Sequence, residues 1–240
     1  MFNISGKKIV LSGATSGIGK SFALFLAEQK CELILIAKDE IKAKALEKEL
    51  LKFNTKFRFE IMDIKNPKPF HTDKVDVLIN CAGIVPKSPL QEITDNSFNE
   101  TMQTNVNSII KLSNLLVNKM QNGSCIVNII SGMAYLTKEN YGMYSISKAA
   151  AEHLTRFQAL EFGKLGIRVN GISPGYIAVE RNIESYEKAN KEIMFHNSII
   201  KRPGTPSEIL GALQFLISNA ASYMTGTILN VDGGFAAKVI

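Results

Sequence analysis

Lys8-Ile9-Val10-Leu11-Ser12-Gly13-Ala14-Thr15-Ser16-Gly17-Ile18-Gly19 decides how this chain is read. Residues 8–11 form a short apolar run, consistent with a buried strand. Ser12 to Gly19 follows at once, with three glycines spaced Gly-x-x-x-Gly-x-Gly. Phe22, Phe25 and Leu26 then recur at helical spacing as far as Gln29. The order is strand, glycine-rich turn, helix. Glycine lets the main chain bend tightly and lets a phosphate approach it. The helix start adds free N–H groups and the positive end of the dipole. Gly13, Thr15, Ser16, Gly17, Ile18 and Gly19 are therefore the candidate phosphate cradle. Their spacing is not Gly-x-Gly-x-x-Gly, and a plain strand-to-helix turn is the alternative reading. Three glycines directly after the first strand favour the cradle.

The same alternation continues outward. Apolar runs at 32–37, 57–61, 75–79, 124–130, 167–173 and 228–231 read as further strands. Helical patterns lie between them, at 40–51, 98–120, 144–163 and 206–218, with Asp95 as the cap of the second. In the 144–163 helix, Ala149, Ala150, Leu154, Phe157 and Leu160 make a periodic apolar face. Residues 65–74 contain Pro67 and Pro69 and read as a loop in place of a crossover helix. Residues 178–200 are polar with weak helical periodicity, as suits a lid over a pocket. No linker, repeat or low-complexity tract interrupts the pattern. It predicts a single α/β domain over 1–240, a Rossmann-type doubly wound parallel sheet with its ligand at the carboxyl ends of the strands.

Composition agrees. The chain has 240 residues, 45% hydrophobic and 21% charged, enough for one sizeable core. No apolar run reaches about 18 residues, so no membrane span is expected. The N-terminus runs straight into a strand without a signal-peptide pattern, and the expected location is the cytoplasm. Cys31, Cys81 and Cys125 are unevenly spaced in or beside apolar runs and read as reduced thiols. His71, His153 and His196 show no ligand spacing, so no metal site is expected. The net charge of +6 would suit an acidic partner such as a phosphorylated cofactor or an acidic carrier. The lysines are scattered, however, and no basic run carries interleaved aromatics, so composition is the simpler cause and nucleic acid is not an expected partner.

Tyr144-Ser145-Ile146-Ser147-Lys148 carries the chemistry. Residues four apart share a helix face, so Lys148 can approach the Tyr144 phenol. A nearby cation favours the phenolate, and a phenol drawn down from its usual ~10 can exchange protons near neutral pH. A common surface pair is the plainer alternative. Asn105, inside a helical pattern, is either a solvated residue or a buried hydrogen-bonder. At the end of the second strand Ala37 and Lys38 stand where an acidic residue would hold a ribose 2′-OH. Lys38, helped by Ser16, suits a 2′-phosphate, which points to NADP.

These motifs, in this order, resemble the short-chain dehydrogenase/reductase family over almost the whole chain. Ser12 to Gly19 is similar to its Thr-Gly-x-x-x-Gly-x-Gly turn, with Ser in first place. Asn80-Cys81-Ala82-Gly83 resembles Asn-Asn-Ala-Gly, and Asp63-Ile64 stands where the family contacts adenine. Ser131, thirteen residues before Tyr144, matches the family's serine, and Asn105 its fourth catalytic position. Pro174, Gly175 and Ile177 resemble the segment that holds the nicotinamide, and 222–226 and 231–234 the C-terminal signature.

The resemblance implies carbonyl reduction with NADP. Tyr144 would be the proton donor, Lys148 would tune it and bind the nicotinamide ribose, Ser131 would polarise the substrate oxygen, and Asn105 would hold a relay water. Asn80, Ala82 and Gly83 would join the cofactor contacts. The general build is that of 3-oxoacyl-[acyl-carrier-protein] reductases, with a small or carrier-bound carbonyl as substrate. Sugar, polyol and diketone reductases compete, as do NAD-dependent alcohol or hydroxysteroid dehydrogenases. A non-catalytic redox sensor is the alternative of another class, although such proteins usually lose the Tyr or Lys. The family implies a homotetramer or dimer through the two long helices and the C-terminal segment. Two departures matter: Val179 replaces the usual Thr, and Tyr141 lies seven residues before Lys148, the enoyl-reductase spacing. Tyr144 is taken as catalytic and Tyr141 as a pocket wall.

Overall fold

Strands β1 (Lys8–Ser12), β2 (Glu32–Ala37) and β4 (Val75–Asn80) are built almost wholly of Val, Ile and Leu. Such runs are stable only where both faces of the sheet are covered. Successive residues of β1 divide accordingly. Ile9 and Leu11 enter one core with Phe22 and Leu26, and Val10 enters the other with Leu78, Leu112 and Ile126. All three β1 residues are fully buried. The structure is a computed structural model and describes residues 1–180 and 198–237. Most of the expected lid over 178–200 therefore lies outside the described residues.

Helices α1 (Gly17–Glu28) and α2 (Glu40–Leu50) and strand β3 (Phe57–Ile61) complete the first half. The second half holds α3 (Asp95–Met102), α4 (Ser108–Leu116), β5 (Met120–Ile129), α5 (Gly142–Gly163), β6 (Arg168–Pro174), α6 (Ser207–Ile217) and β7 (Ile228–Val231). The seven strands run in the order β3-β2-β1-β4-β5-β6-β7, and every pairing is parallel. Strand order reverses between β1 and β4. That switch point opens a crevice at the carboxyl ends of those two strands, where Ser12 pairs with Asn80. As expected, no helix lies between β3 and β4 among the described residues.

Three expectations are corrected. Asp95 does not cap its helix; it is the first helical residue. Thr94 holds the cap, its Oγ1 accepting from Ser97 N at 3.2 Å while Ser97 Oγ accepts from Thr94 N at 3.0 Å. The long helix is also interrupted. A π-turn, Gln103–Asn107, separates α3 from α4, and β5 begins at Met120 rather than at Ser124. Finally, the apolar face of α5 points outward: Phe157 and Leu160 are 56% and 67% exposed. Its buried face is largely polar, including Ser145, Ser147, Lys148, Glu152, Thr155 and Gln158.

Two of those polar groups, Thr155 and Gln158, are bonded across the core. Asn80 Nδ2 donates to Asn128 Oδ1 at 2.8 Å. Asn128 Nδ2 donates to Thr155 Oγ1 at 3.0 Å and to Gln158 Oε1 at 2.9 Å, and Gln158 Nε2 donates to Ser113 Oγ at 3.0 Å. The chain joins β4, β5, α5 and α4 beneath the crevice. Removing its hub leaves several buried groups unpaired, each costing about 1–3 kcal/mol. Asn128→Ala should therefore lower the unfolding free energy by about 2–4 kcal/mol, seen as a lower urea midpoint at unchanged slope. A midpoint equal to wild type would mean that the chain carries no stability.

Candidate active site

The glycine-rich turn is held by contacts no other side chains could make. Gly13 has φ +72, and a Cβ there would lie 2.8 Å from Ala82 Cα. A Cβ at Gly19 would lie 2.1 Å from the Gly13 oxygen. Ser12 ties the turn to the end of β4: its Oγ accepts from Cys81 N at 3.1 Å and from Ala82 N at 3.3 Å. The turn delivers the chain to α1 with Ser16 as N-cap. Ser16 makes no side-chain cap bond, and the first turn of α1 carries no acidic residue. The free hydroxyl, the orphan N–H groups and the absence of a Cβ at the close approaches all fit a dinucleotide's phosphates. Thr15, Gly17 and Ile18 complete the turn, and a Cβ at Gly17 would meet Val179 at 3.8 Å. Val179 itself is buried and forms an apolar wall beside the turn.

At the far edge, Lys38 Nζ pairs with Asp63 Oδ2 at 2.9 Å. Asp63 also accepts from Lys65 N at 2.9 Å, and Lys65 pairs with Glu100 at 2.7 Å. Partial burial would push the Asp63 carboxyl up. The Lys65 N–H and the Lys38 cation outweigh that and hold it below the usual carboxylate range. Ile64 follows in a half-buried turn. The structure thus joins two residues that sequence placed separately, at the ribose and at the adenine.

Asn80 is relocated. Its register partner is Asn128, and its Nδ2 donates to the Asn128 side chain, while its buried Oδ1 has no hydrogen-bond partner among the described residues. Ala82 and Gly83 stay at the open strand end. A Cβ at Gly83 would lie 3.2 Å from Asn105 Oδ1 and 3.7 Å from Lys148 Nζ.

Asn105, in the π-turn, is the buried hydrogen-bonder of the two alternatives. Its Oδ1 accepts from Ile84 N at 2.8 Å, and its Nδ2 donates to Ile84 O and to Ser147 Oγ, both at 2.9 Å. The side chain is therefore spent on fixing the turn after Gly83. Lys148 is 6% exposed and donates to Ile129 O at 2.8 Å. Its Nζ lies 5.8 Å from the centroid of the Tyr144 ring. Tyr141 is elsewhere, its ring between Lys87 Nζ at 5.2 Å and Lys138 Nζ at 5.5 Å. Lys148 is paired with the tyrosine four residues away and not with the one seven away.

Ser131, two residues beyond the end of β5, caps a short turn by accepting from Met133 N at 3.2 Å. Pro174 and Gly175 end β6. A Cβ at Gly175 would lie 2.7 Å from Asp232 Cα, so the segment runs tightly beside β7, and Ile177 bridges to Gly204. A cavity of about 500 Å³ lined by Gly175, Ile177, Arg202, Glu208 and Asp232 opens on that flank, and Ser131, Tyr144 and Lys148 do not border it. Sequence reading missed Ser12 as the clamp between β1 and β4, and Asn128 as the hub beneath. Each is a polar residue within or ending an apolar strand, the available signal. Among the described residues no helix is long and apolar enough to cross a membrane.

Comparison with known proteins agrees with this arrangement. A family model described as Enoyl-(Acyl carrier protein) reductase matches residues 13–236. Gluconate 5-dehydrogenase of Gluconobacter oxydans (strain 621H) is 30% identical over 256 residues, covering 100% of this chain and 98% of the relative. L-xylulose reductase of Caenorhabditis elegans is 32% identical over 250 residues, covering 98% of each. The crystal structure of a short-chain type dehydrogenase/reductase from Mycobacterium marinum superposes with a TM-score of 0.89 at 26% identity, covering 99% of this chain and 98% of that one. A glycine-rich turn clamped to the end of β4, a tyrosine and a buried lysine one helical turn apart, and similarity along the full length place this chain in the short-chain dehydrogenase/reductase family, as an NAD(P)-dependent oxidoreductase.

Proposed function

We propose that the protein interconverts a ketone and an alcohol on a small polyhydroxylated substrate, a ketose or keto sugar acid, using NADP. The observation that carries the reading is Lys148: a buried lysine held by Ile129 O, beside Asn105 and Gly83 and within reach of the Tyr144 ring. When bound, the nicotinamide supplies or takes the hydride. Tyr144 gives its phenolic proton to the carbonyl oxygen, or takes it back from the alcohol. Ser131 donates its hydroxyl to the same oxygen and orients it. Lys148 stabilises the developing phenolate and holds the nicotinamide ribose. A main-chain carbonyl of the π-turn, rather than the occupied Asn105 side chain, holds the water that returns protons to Lys148. Gly13, Thr15, Ser16, Gly17, Ile18 and Gly19 hold the phosphates, and Pro174, Gly175 and Ile177 hold the nicotinamide.

Lys38 supports NADP over NAD. It stands at the end of β2 with no acidic residue in the ribose position, and its pair with Asp63 is solvent-exposed. An exposed pair is worth about 0–1 kcal/mol, so a 2′-phosphate can take Lys38 from Asp63 at little cost. The sugar reading is favoured over a 3-oxoacyl thioester by the names of the relatives, gluconate 5-dehydrogenase and L-xylulose reductase. Enoyl reduction is disfavoured because Lys148 neighbours Tyr144, not Tyr141. A sensor is disfavoured because Tyr144 and Lys148 are both present.

The outward apolar face of α5 supports a homodimer or homotetramer. Ile146, Phe157 and Leu160 on α5 and Ile110 on α4 are all exposed, a patch that a second copy would cover.

NADPH oxidation with ketoses and keto sugar acids should be abolished in Tyr144→Phe, and Lys148→Met should lose activity and cofactor affinity together. Lys38→Ala should weaken NADPH binding about tenfold, the order expected for one charge-assisted phosphate contact, and leave NADH unchanged. Equal losses for both cofactors would remove the basis for NADP. In light scattering, Phe157→Glu with Leu160→Glu should halve the oligomeric mass or reduce it to the monomer. An unchanged mass would place the interface elsewhere.

A further inference from the structure

We infer that Lys87, Lys138 and Tyr141 form an anion-recognition subsite at the mouth of the active site, so that the ketone substrate carries a carboxylate or a phosphate. The inference rests on the small-ketone reading above and names the substrate class more narrowly. Two loops build the mouth. One leaves the site at Gly83, beside Lys148, and is pinned at Ile84 by Asn105. The other runs from Ser131 to Tyr141, the residue before the first turn of α5. Ser88 N donates to Asn140 O at 2.8 Å and fastens one loop to the other. Asn140 takes the left-handed conformation, φ 66, just before Tyr141.

This closure brings both exposed lysines to one ring: Lys87 Nζ at 5.2 Å and Lys138 Nζ at 5.5 Å from the Tyr141 centroid. Each nitrogen thus lies closer to the ring than the ~8 Å Debye length at physiological salt. An anion seated at the ring would therefore feel both charges, little screened. Among the described residues, neither lysine has a carboxylate within ion-pair distance, so both charges are open to a ligand. Glu139, next in sequence to Lys138, pairs with neither. Tyr141, the N-cap of α5, precedes Tyr144 by three residues, roughly one turn or about 5 Å along the axis. A short carbon chain spans that distance, with its carbonyl at Tyr144 and its anionic group at the lysines. Positive charge beside the reacting centre selects anionic over neutral substrates and raises their encounter rate.

The test compares 5-keto-D-gluconate, fructose 6-phosphate and L-xylulose as substrates for the full-length enzyme, its Lys87→Met/Lys138→Met variant and its Lys87→Arg/Lys138→Arg variant. An anionic ketone should be preferred at least tenfold in kcat/KM. In the Met variant its KM should rise at least tenfold, with kcat and NADPH affinity within about twofold and L-xylulose unaffected. The Arg variant should restore it. Whichever anion is preferred identifies carboxylate or phosphate. Equal losses on L-xylulose and the anions, or preference for an acyl-carrier-protein thioester, would overturn the inference. Calorimetric binding of gluconate, with xylitol as control, to the enzyme–NADP complex gives a readout independent of turnover. If no ketone is reduced, the proposed activity fails, but gluconate binding lost in the Met variant and restored in the Arg variant still upholds the subsite. Binding absent, or equal in all three proteins, overturns it.

Discussion

A lysine buried to 6% exposure, with its amino group on the Ile129 carbonyl, is the constraint around which the second half of this fold is arranged. Lysine is almost never buried without partners, and unpaired burial of a charged group is expensive. Ile129 ends β5, so the bond fixes where α5 crosses the sheet edge. Asn105 and Gly83 stand beside the same amino group. A regular helix from Asp95 to Leu116 would rotate the residues after 102 differently. The π-turn at Gln103–Asn107 adds the extra residue that lets Asn105 reach Ile84 and Ser147. Insertions of this kind recur at functional sites, and here the displaced residue organises the strand end where the cofactor is proposed to lie.

The same constraint explains why α5 buries its polar side. Its inner face must carry Ser147 and Lys148 to the site, and then Thr155 and Gln158 to the Asn128 hub two and three turns on. Thr155 and Gln158 find partners in the Asn80–Asn128–Gln158–Ser113 chain, while Asn80 Oδ1, Ser145 Oγ and Glu152 Oε2 are buried without a hydrogen bond among the described residues. What remains apolar on α5 is then turned outward. An inverted helix of this sort would be unstable in water as a lone surface. In this reading the site and the assembly are coupled, because the face that a partner copy covers is the back of the face that positions Tyr144 and Lys148.

Much of this was legible in sequence wherever the signal was local. The β1 run, the three glycines of the turn and the spacing of Tyr144 and Lys148 each depend on neighbours within a few residues. The seven strands and the missing β3–β4 helix were read for the same reason, since Pro67 and Pro69 act where they stand. Long-range pairing was less visible. Thr94 and Asp95 are both good caps by type, and only the Ser97 partner decides between them. The apolar spacing of Phe157 and Leu160 says that one face of α5 is buried, but not by which chain. The Asn80 motif marks the crevice in sequence, but its bond to Asn128, forty-eight residues away, leaves no local signal.

The two ends of the crevice are built on opposite electrostatic terms. At the Lys148 end the lysine and Asn105 are buried and held by specific hydrogen bonds, so the loss of a partner there is felt in full. At the Lys38 end the lysine side chain is 71% exposed and contacts Asp63 directly at 2.9 Å on the solvent-facing side, where charges are screened and exchange partners cheaply. On the roles proposed for Lys38 and Tyr144, chemistry is thereby separated from cofactor choice. Substitution at Lys38 or Asp63 can shift the balance between the two dinucleotides without disturbing the geometry at Tyr144. The adenine edge is accordingly the part of this site most free to change while the proton-handling end stays fixed.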